Sequence, residues 1–284
     1  MCTEDEASVN IRDRLVELAD FEIIGSFNNS PVRLFNDLLL FEKDGLHLYL
    51  DGIDREIRNF IDLELSDVAQ LQPDGNLPLD LLVFLSKHSS EREIRSLTVH
   101  PPGNYLSADH GGRPGYLPPS APREMTSALK SLYREKKTLG LKDQTTFEVT
   151  HHGPVVSSPC FFIEIGSDPE RWGIPLLGEA IARALLSESF PENDKDLPVA
   201  IGLGGGHYAP RFTDRAMRNK FAFGHMIPDY ILSSDDDLPR HMRLAMDSTK
   251  GAEYVFVHRS KRNMEMLEGV EEAAQEMGLK IAGI

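Results

Sequence analysis

Short apolar runs in this 284-residue chain repeatedly lead into a histidine. Leu81 to Leu85 leads to His88, Leu97 to Val99 to His100, and Phe147 to Val149 to His151 and His152. Ile201 to Leu203 leads to His207, and Tyr254 to Val257 to His258. Runs of this length and composition are strands, and near-continuous apolar strands belong to a sheet covered on both faces. Helical repeats lie between them. Met125, Ala128, Leu129, Leu132 and Tyr133 follow Pro122; Leu176, Leu177, Ala180, Ile181, Ala184 and Leu185 form a second set; Val270, Ala273, Ala274 and Met277 form a last one. The alternation predicts an α/β fold with a mixed, mostly parallel central sheet flanked by helices. Ligands in open sheets of this kind bind beyond the carboxyl ends of the strands. Histidines placed just past those ends are expected to converge on one crevice.

The flanks are less regular. Residues 1–20 read as a polar lead-in with a short helix around Ile11, Leu15 and Leu18, and the α/β domain is expected over 21–284. Lys43-Asp44-Gly45, between Leu38 to Phe41 and Leu46 to Leu50, carries the Asp-Gly signal of a hairpin. His47 would then sit mid-strand in a structural role. Gln72 to Pro78 is rich in turn residues and marks where a smaller N-terminal subdomain would end, at about residue 78. Residues 104–122 form a long irregular loop, a length usually kept for function.

Composition excludes several classes. No apolar stretch approaches the length of a membrane span, and the acidic first 20 residues lack a secretory signal. Cys2 and Cys160 are the only cysteines, so neither a disulfide framework nor a Cys-based zinc motif is expected, and a reducing cytoplasm is the default. A formal net charge of −15 argues against indiscriminate nucleic-acid binding. Basic clusters nevertheless stand at Lys130 to Lys142, Arg211 to Lys220 and Arg259 to Arg262, and acidic ones at Glu188 to Asp196 and Asp235 to Asp237.

The densest chemistry lies in Ile201-Gly-Leu-Gly-Gly-Gly-His-Tyr-Ala-Pro-Arg211, where an apolar run breaks into Gly204, Gly205 and Gly206 and delivers His207, Tyr208 and Arg211. Consecutive glycines allow close backbone approach and can turn N–H groups toward an anion. Gly202-x-Gly204 resembles the start of a dinucleotide fingerprint, but His207 stands where the third glycine belongs and Pro210 follows too soon. Metalloprotease, phosphate-loop and nucleophile-elbow motifs are absent. Imidazole is both a common metal ligand and the usual acid or base near neutral pH. His151 and His152 would point to opposite faces of a regular strand unless the Gly153-Pro154 turn bends both toward one pocket. Glu164, inside Cys160-Phe-Phe-Ile-Glu-Ile165, is an acid in an apolar strand, where carboxylates are rarely left unpaired. It could orient a histidine, bind a metal or pair with an arginine.

Taken together, Ser86-Lys-His88, Leu97-Thr-Val-His100-x-x-Gly103-Asn104, Thr150-His-His-Gly-Pro154, Ile163-Glu-Ile-Gly-Ser167, Gly204-Gly-Gly-His-Tyr-Ala-Pro-Arg211 and Gly224-His225-Met-Ile-Pro228 resemble the archaeal and plant type of D-aminoacyl-tRNA deacylase. The likeness runs from about Phe21 to the C-terminus. It implies a phosphorylase-like or peptidyl-tRNA-hydrolase-like α/β enzyme that uses zinc to hydrolyse the ester between a D-amino acid and tRNA. A monomer in the cytoplasm, acting on aminoacylated tRNA, is expected. His88, His100, His151, His207 and His225 are then the candidate metal ligands, and His151, His152, His207 and Glu164 the candidate catalytic groups. Gly204, Gly205, Gly206, Tyr208, Arg211, Lys136 and Lys137 are the candidate substrate contacts. Two other readings fit the residues: a zinc-dependent peptidase or amidohydrolase on small substrates, and a non-catalytic RNA- or nucleotide-binding protein.

Overall fold

The computed structural model describes residues 1–65, 79–90, 93–187, 195–234, 237–259, 264 and 269–283. The Gln72 to Pro78 connection, Arg262 and most of the acidic stretches at 188–196 and 235–237 fall outside these residues.

Helix α1 (Glu6–Leu18) begins where the Asp5 side chain accepts from the Ser8 N–H at 2.9 Å. Its buried stripe is Ala7, Ile11 and Leu15, four residues apart, while Leu18 faces solvent. The segment read as a polar lead-in therefore contributes to the main core. Strands β1 (Glu22–Phe27), β2 (Ser30–Phe35) and β3 (Leu38–Leu40) form a small antiparallel sheet. Its first hairpin turns at Asn28 and Asn29, both at positive φ, a turn signal as good as Asp-Gly. The hairpin expected at Lys43-Asp44-Gly45 does not form. Lys43 instead exchanges backbone hydrogen bonds with Met1 and Thr3, and His47 lies in the 3-10 turn His47–Tyr49, not in a strand. Helix α2 (Ile53–Glu64) closes this N-terminal layer.

The strands read from the sequence separate into two four-stranded sheets. The first has the order β4 (Leu82–Ser89), β7 (Cys160–Ser167), β5 (Ser96–His100), β6 (Gln144–Phe147). Pairs β4–β7 and β5–β6 are parallel, but β7 and β5 run antiparallel. The second sheet, β11 (Lys280–Ala282), β10 (Ala252–Val257), β8 (Val199–Leu203), β9 (Ala222–Ile227), is entirely parallel. Helices α3 (Pro122–Thr138) and α4 (Pro175–Leu185) pack with α1 into the largest core, around Leu97, Val99, Phe161, Ile163 and Ile165. Helices α5 (Pro210–Met217), α6 (Leu238–Asp247) and α7 (Val270–Glu276) complete the second sheet's layers. The sheets meet where the chain after β6 donates from the Val149 N–H to the His207 carbonyl and from the Thr150 N–H to the Met226 carbonyl. No helix among the described residues is long and apolar enough to cross a membrane.

Strand alternation explains what the first sheet presents. Leu97, Val99, Phe161, Ile163 and Ile165 point into the core. The intervening Ser86, His88, Ser96, Thr98, His100 and Glu164 share the opposite face with Phe84 and Phe162, so that face is buried but largely polar.

Candidate active site

Five of the histidines converge. His151, His152 and His207 lie past the ends of β6 and β8 as expected, and His88 and His100 lie within β4 and β5. His258 packs against the Gly205 turn instead. Strands β4 and β5 run in opposite directions on either side of β7, so His88 and His100 flank Glu164 across the face of the sheet. His88 Nδ1 lies 3.7 Å and His100 Nε2 3.5 Å from the same Glu164 oxygen. A second carboxylate completes the group. Glu148 follows β6 directly, is fully buried, and accepts a hydrogen bond from His207 Nε2 at 3.0 Å. His88 Nδ1 is 3.4 Å and His151 Nε2 3.6 Å from that Glu148 oxygen. The Thr150–Pro154 turn brings both adjacent histidines in, with His152 at φ +48°. The His151 ring stacks on His100 at 4.1 Å and meets His152 edge-on at 4.4 Å. His207 arrives from the second sheet, so the site sits on the seam between the sheets. His207 and His151, with side chains 37% and 20% exposed, form its mouth, while Glu148, Glu164 and His100 form the floor.

The cluster histidines each have one ring nitrogen fixed by the protein, and His88, His100 and His151 turn the other to the carboxylates. His100 Nδ1 faces the Pro101 carbonyl at 3.3 Å, and those of His151 and His152 face the Val149 and Gly153 carbonyls at 2.8 Å. His88 uses Nε2 on the Tyr208 hydroxyl at 3.1 Å. Carbonyl anchoring of one ring nitrogen is the usual support of a metal-binding imidazole. Burial lowers the pKa of His88, His100 and His151, and carries His152 down to about 4, so the rings stay neutral, the form that ligates metals.

The carboxylates are driven apart. Burial pushes Glu148 up, but the hydrogen bond from His207, first among the influences of the surrounding imidazoles, outweighs it and brings Glu148 to about 2. Burial, then the charge of Glu148, holds Glu164 well above the carboxylate range. Environments that separate two carboxylates in this way assign them opposite protonation states. His100 Nε2, Glu148 Oε1 and Glu164 Oε2 are buried with no hydrogen-bond partner. Buried polar atoms are seldom left so without a reason. His100, Glu148 and Glu164 place ligand atoms within 4.8 Å of one another, as do His88 with Glu148 and His207, and His100 with His151 and His152. These buried groups could hold a metal ion, and the orphaned donor set fits one.

Several expected site residues lie elsewhere or are already engaged. His225 is spent on structure. Its Nδ1 meets the Thr150 hydroxyl at 3.0 Å and its Nε2 the Pro118 carbonyl at 2.8 Å, so no nitrogen is left to ligate. The Gly204 N–H donates to the Ile227 carbonyl and the Gly205 N–H to Asp229 Oδ1, which removes two of the three expected oxyanion donors. Gly206 alone is exposed, with open space where a Cβ would stand. Tyr208 holds His88, and Arg211 is exposed at the start of α5, beside the mouth. Lys136 and Lys137 end α3, which carries the chain from the His100 end of β5 back to the start of β6. Lys136 Nζ donates to the carbonyl of Asp143, next to that start. At 1.5 Å per helical residue from Pro122, these lysines stand roughly 22 Å along the helix from its first residue. There they complement the helix C-terminus.

Glu148 is the residue that sequence reading missed. It interrupts the apolar run Phe147 to Val149 as Glu164 interrupts its own, and that interruption is its one signal in the sequence.

The comparisons agree along nearly the whole chain. The family model described as D-aminoacyl-tRNA deacylase matches residues 76–282. The D-aminoacyl-tRNA deacylase of Methanosarcina mazei is 33% identical over 284 residues, covering 98% of this chain and 88% of its own. That of Pyrococcus horikoshii is 33% identical over 281 residues, covering 97% and 95%. The crystal structure of the conserved protein of unknown function AF0625 superposes with a TM-score of 0.79 at 29% identity, over 99% of this chain and 93% of that one. At 98% coverage the likeness extends into α1 and does not begin at Phe21. On the family model and on relatives of this identity and coverage, the chain belongs to the D-aminoacyl-tRNA deacylase family.

Proposed function

We propose that the chain hydrolyses the ester joining a D-amino acid to the terminal ribose of tRNA, releasing free tRNA and the amino acid. The observation that carries this reading is the buried histidine–carboxylate cluster, which opens to solvent at His207. The choice of substrate rests on the family.

Glu148, ionised, holds His207 through Nε2, which leaves Nδ1 as the base at the mouth. A water attacks the ester carbonyl carbon and gives its proton to His207 Nδ1. The bond from carbonyl carbon to ribose oxygen then breaks, and His207 returns the proton to that oxygen. The amino acid leaves as a carboxylate, with one proton released to solvent. Tyr208 positions His88 behind this pair. His100, His151 and His152, with Glu148, are the residues that would hold zinc, and Glu164 would join them on giving up its proton. Zinc bound there would supply Lewis-acid polarisation of the ester carbonyl. The enzyme acts as a cytoplasmic monomer in this reading.

The test is deacylation of matched D- and L-aminoacyl-tRNA, with metal content measured and a chelator arm. Turnover of the D form that falls with loss of zinc supports the proposal. Hydrolysis of free amino-acid esters or peptides in preference to charged tRNA contradicts it.

A further inference from the structure

Helix α5 leaves the glycine turn at the mouth and runs along the second sheet. Arg211, Arg215 and Arg218, spaced four and three residues apart, fall on one side of the helix. Lys220 follows its end, and all four are exposed. Arg218 pairs with Asp214 at 2.7 Å. Among the described residues no carboxylate lies within ion-pair distance of Arg211, Arg215 or Lys220. In a chain of net charge −15, this is a local surplus of positive charge beside the site.

The row ends at a cavity of about 330 Å³ lined by Arg215, Lys220, Phe221, Phe256 and Gly283. The Arg215 guanidinium lies 5.8 Å from the Phe256 ring centre, and Phe221 meets that ring edge-on at 5.7 Å. A Cβ on Gly283 would come within 2.4 Å of the Phe256 ring, so the glycine backbone packs directly on that buried ring, and the half-buried Phe221 is the aromatic that the cavity leaves partly open. A partly exposed aromatic ring beside exposed cations is what an unstacked base and its phosphates bind. The cavity is at the small end for ligands, suited to one base and not to a duplex. Eight residues of helix separate it from the mouth by about 12 Å.

We infer that α5 and this cavity form a track for the unpaired 3′ end of tRNA. Arg211, Arg215 and Lys220 contact phosphates, and the cavity takes a base. The track presents the terminal ester to His207. This rests on the tRNA substrate proposed above.

The test uses Arg215→Ala/Lys220→Ala, with Arg215→Lys/Lys220→Arg as the charge-keeping control. The probes are uncharged tRNA, an acceptor-stem hairpin lacking the 3′ single strand, and D-aminoacyl-tRNA. The alanine pair should weaken binding of uncharged tRNA and raise KM for the charged form about tenfold, with kcat within about twofold. The slope of log K against log salt should fall by about 1.4, at about 0.7 for each single-strand phosphate that the variant no longer neutralises. The control should restore most of the affinity, and binding of the tail-less hairpin should not change. Equal weakening on that hairpin, or none on tRNA, overturns the inference. Because binding of uncharged tRNA needs no turnover, the outcomes are separable. Tail-dependent binding without deacylation by the wild type would sink the proposed reaction and leave the track standing.

Discussion

Glu148→Gln probes the group on which the site turns, because it keeps the shape and removes the charge. Glu148 is fully buried and lies at hydrogen-bond distance from His207 and within 3.6 Å of His88 and His151. Its held ionisation, with pKa near 2, means the cluster is built around a negative charge. A buried hydrogen bond to a charged group contributes about 1.5–3 kcal/mol. At about 2–4 °C per kcal/mol for a chain approaching this size, the variant should melt roughly 3–12 °C lower and still fold. The rate should fall further. A base that loses its orienting carboxylate, in a site that also loses a ligand, should turn over at least about 100-fold more slowly. Single-turnover deacylation of D-aminoacyl-tRNA, beside a thermal melt and metal analysis, separates the two effects. A variant that melts lower but keeps its rate within about threefold would refute the role given to Glu148.

Three other outcomes follow from the geometry. Lys136→Ala/Lys137→Ala should leave kcat/KM for D-aminoacyl-tRNA within about threefold of wild type, since α3 ends far from the site; a tenfold drop would place tRNA along that helix. His225, held near pKa 4 by burial against an ordinary 6.5, is neutral in the fold and must gain a proton in the unfolded chain as pH falls. Its contribution is whole above pH 6.5 and lost on the way to pH 4, about 3 kcal/mol at 1.36 kcal/mol per unit. Denaturant titrations of His225→Gln should accordingly show a shallower acid loss than wild type over that window, and an identical pH profile would contradict this. Gly205→Ala should lower Tm by several degrees, because φ is +94° and the new Cβ would stand 2.8 Å from His258 Nδ1; an unchanged melt would mean the turn relaxes freely.

Much of the fold and part of the site could be read from the chain. The strands before His88, His100, His207 and His258 and the helices at 122–138 and 175–185 follow from apolar periodicity. What periodicity could not give was strand direction. A parallel sheet predicts a crevice past the strand ends, whereas the antiparallel β5–β7 pair puts His88 and His100 on the sheet face, about Glu164. Thr98 and Glu164 already broke their apolar runs at alternate positions, the mark of a strand with one polar face. Hydrogen bonding decided other cases. Nothing local distinguishes His225 from His100, yet one meets a hydroxyl and a carbonyl and the other lies against a carboxylate. The same holds for Gly204 and Gly205, whose N–H groups are taken by residues more than 20 positions away in sequence.

The central claim is that this buried cluster, with His207 as base, cleaves the ester of D-aminoacyl-tRNA. The direct measurement is the single-turnover rate on one matched pair of D- and L-aminoacyl-tRNAs, for the wild type and His207→Ala at equal metal content. The account predicts cleavage of the D form well ahead of the L form by the wild type, and a loss of about 100-fold or more in the variant with metal retained. Equal rates for the two enzymes on the D form, or no wild-type preference between the isomers, would contradict it.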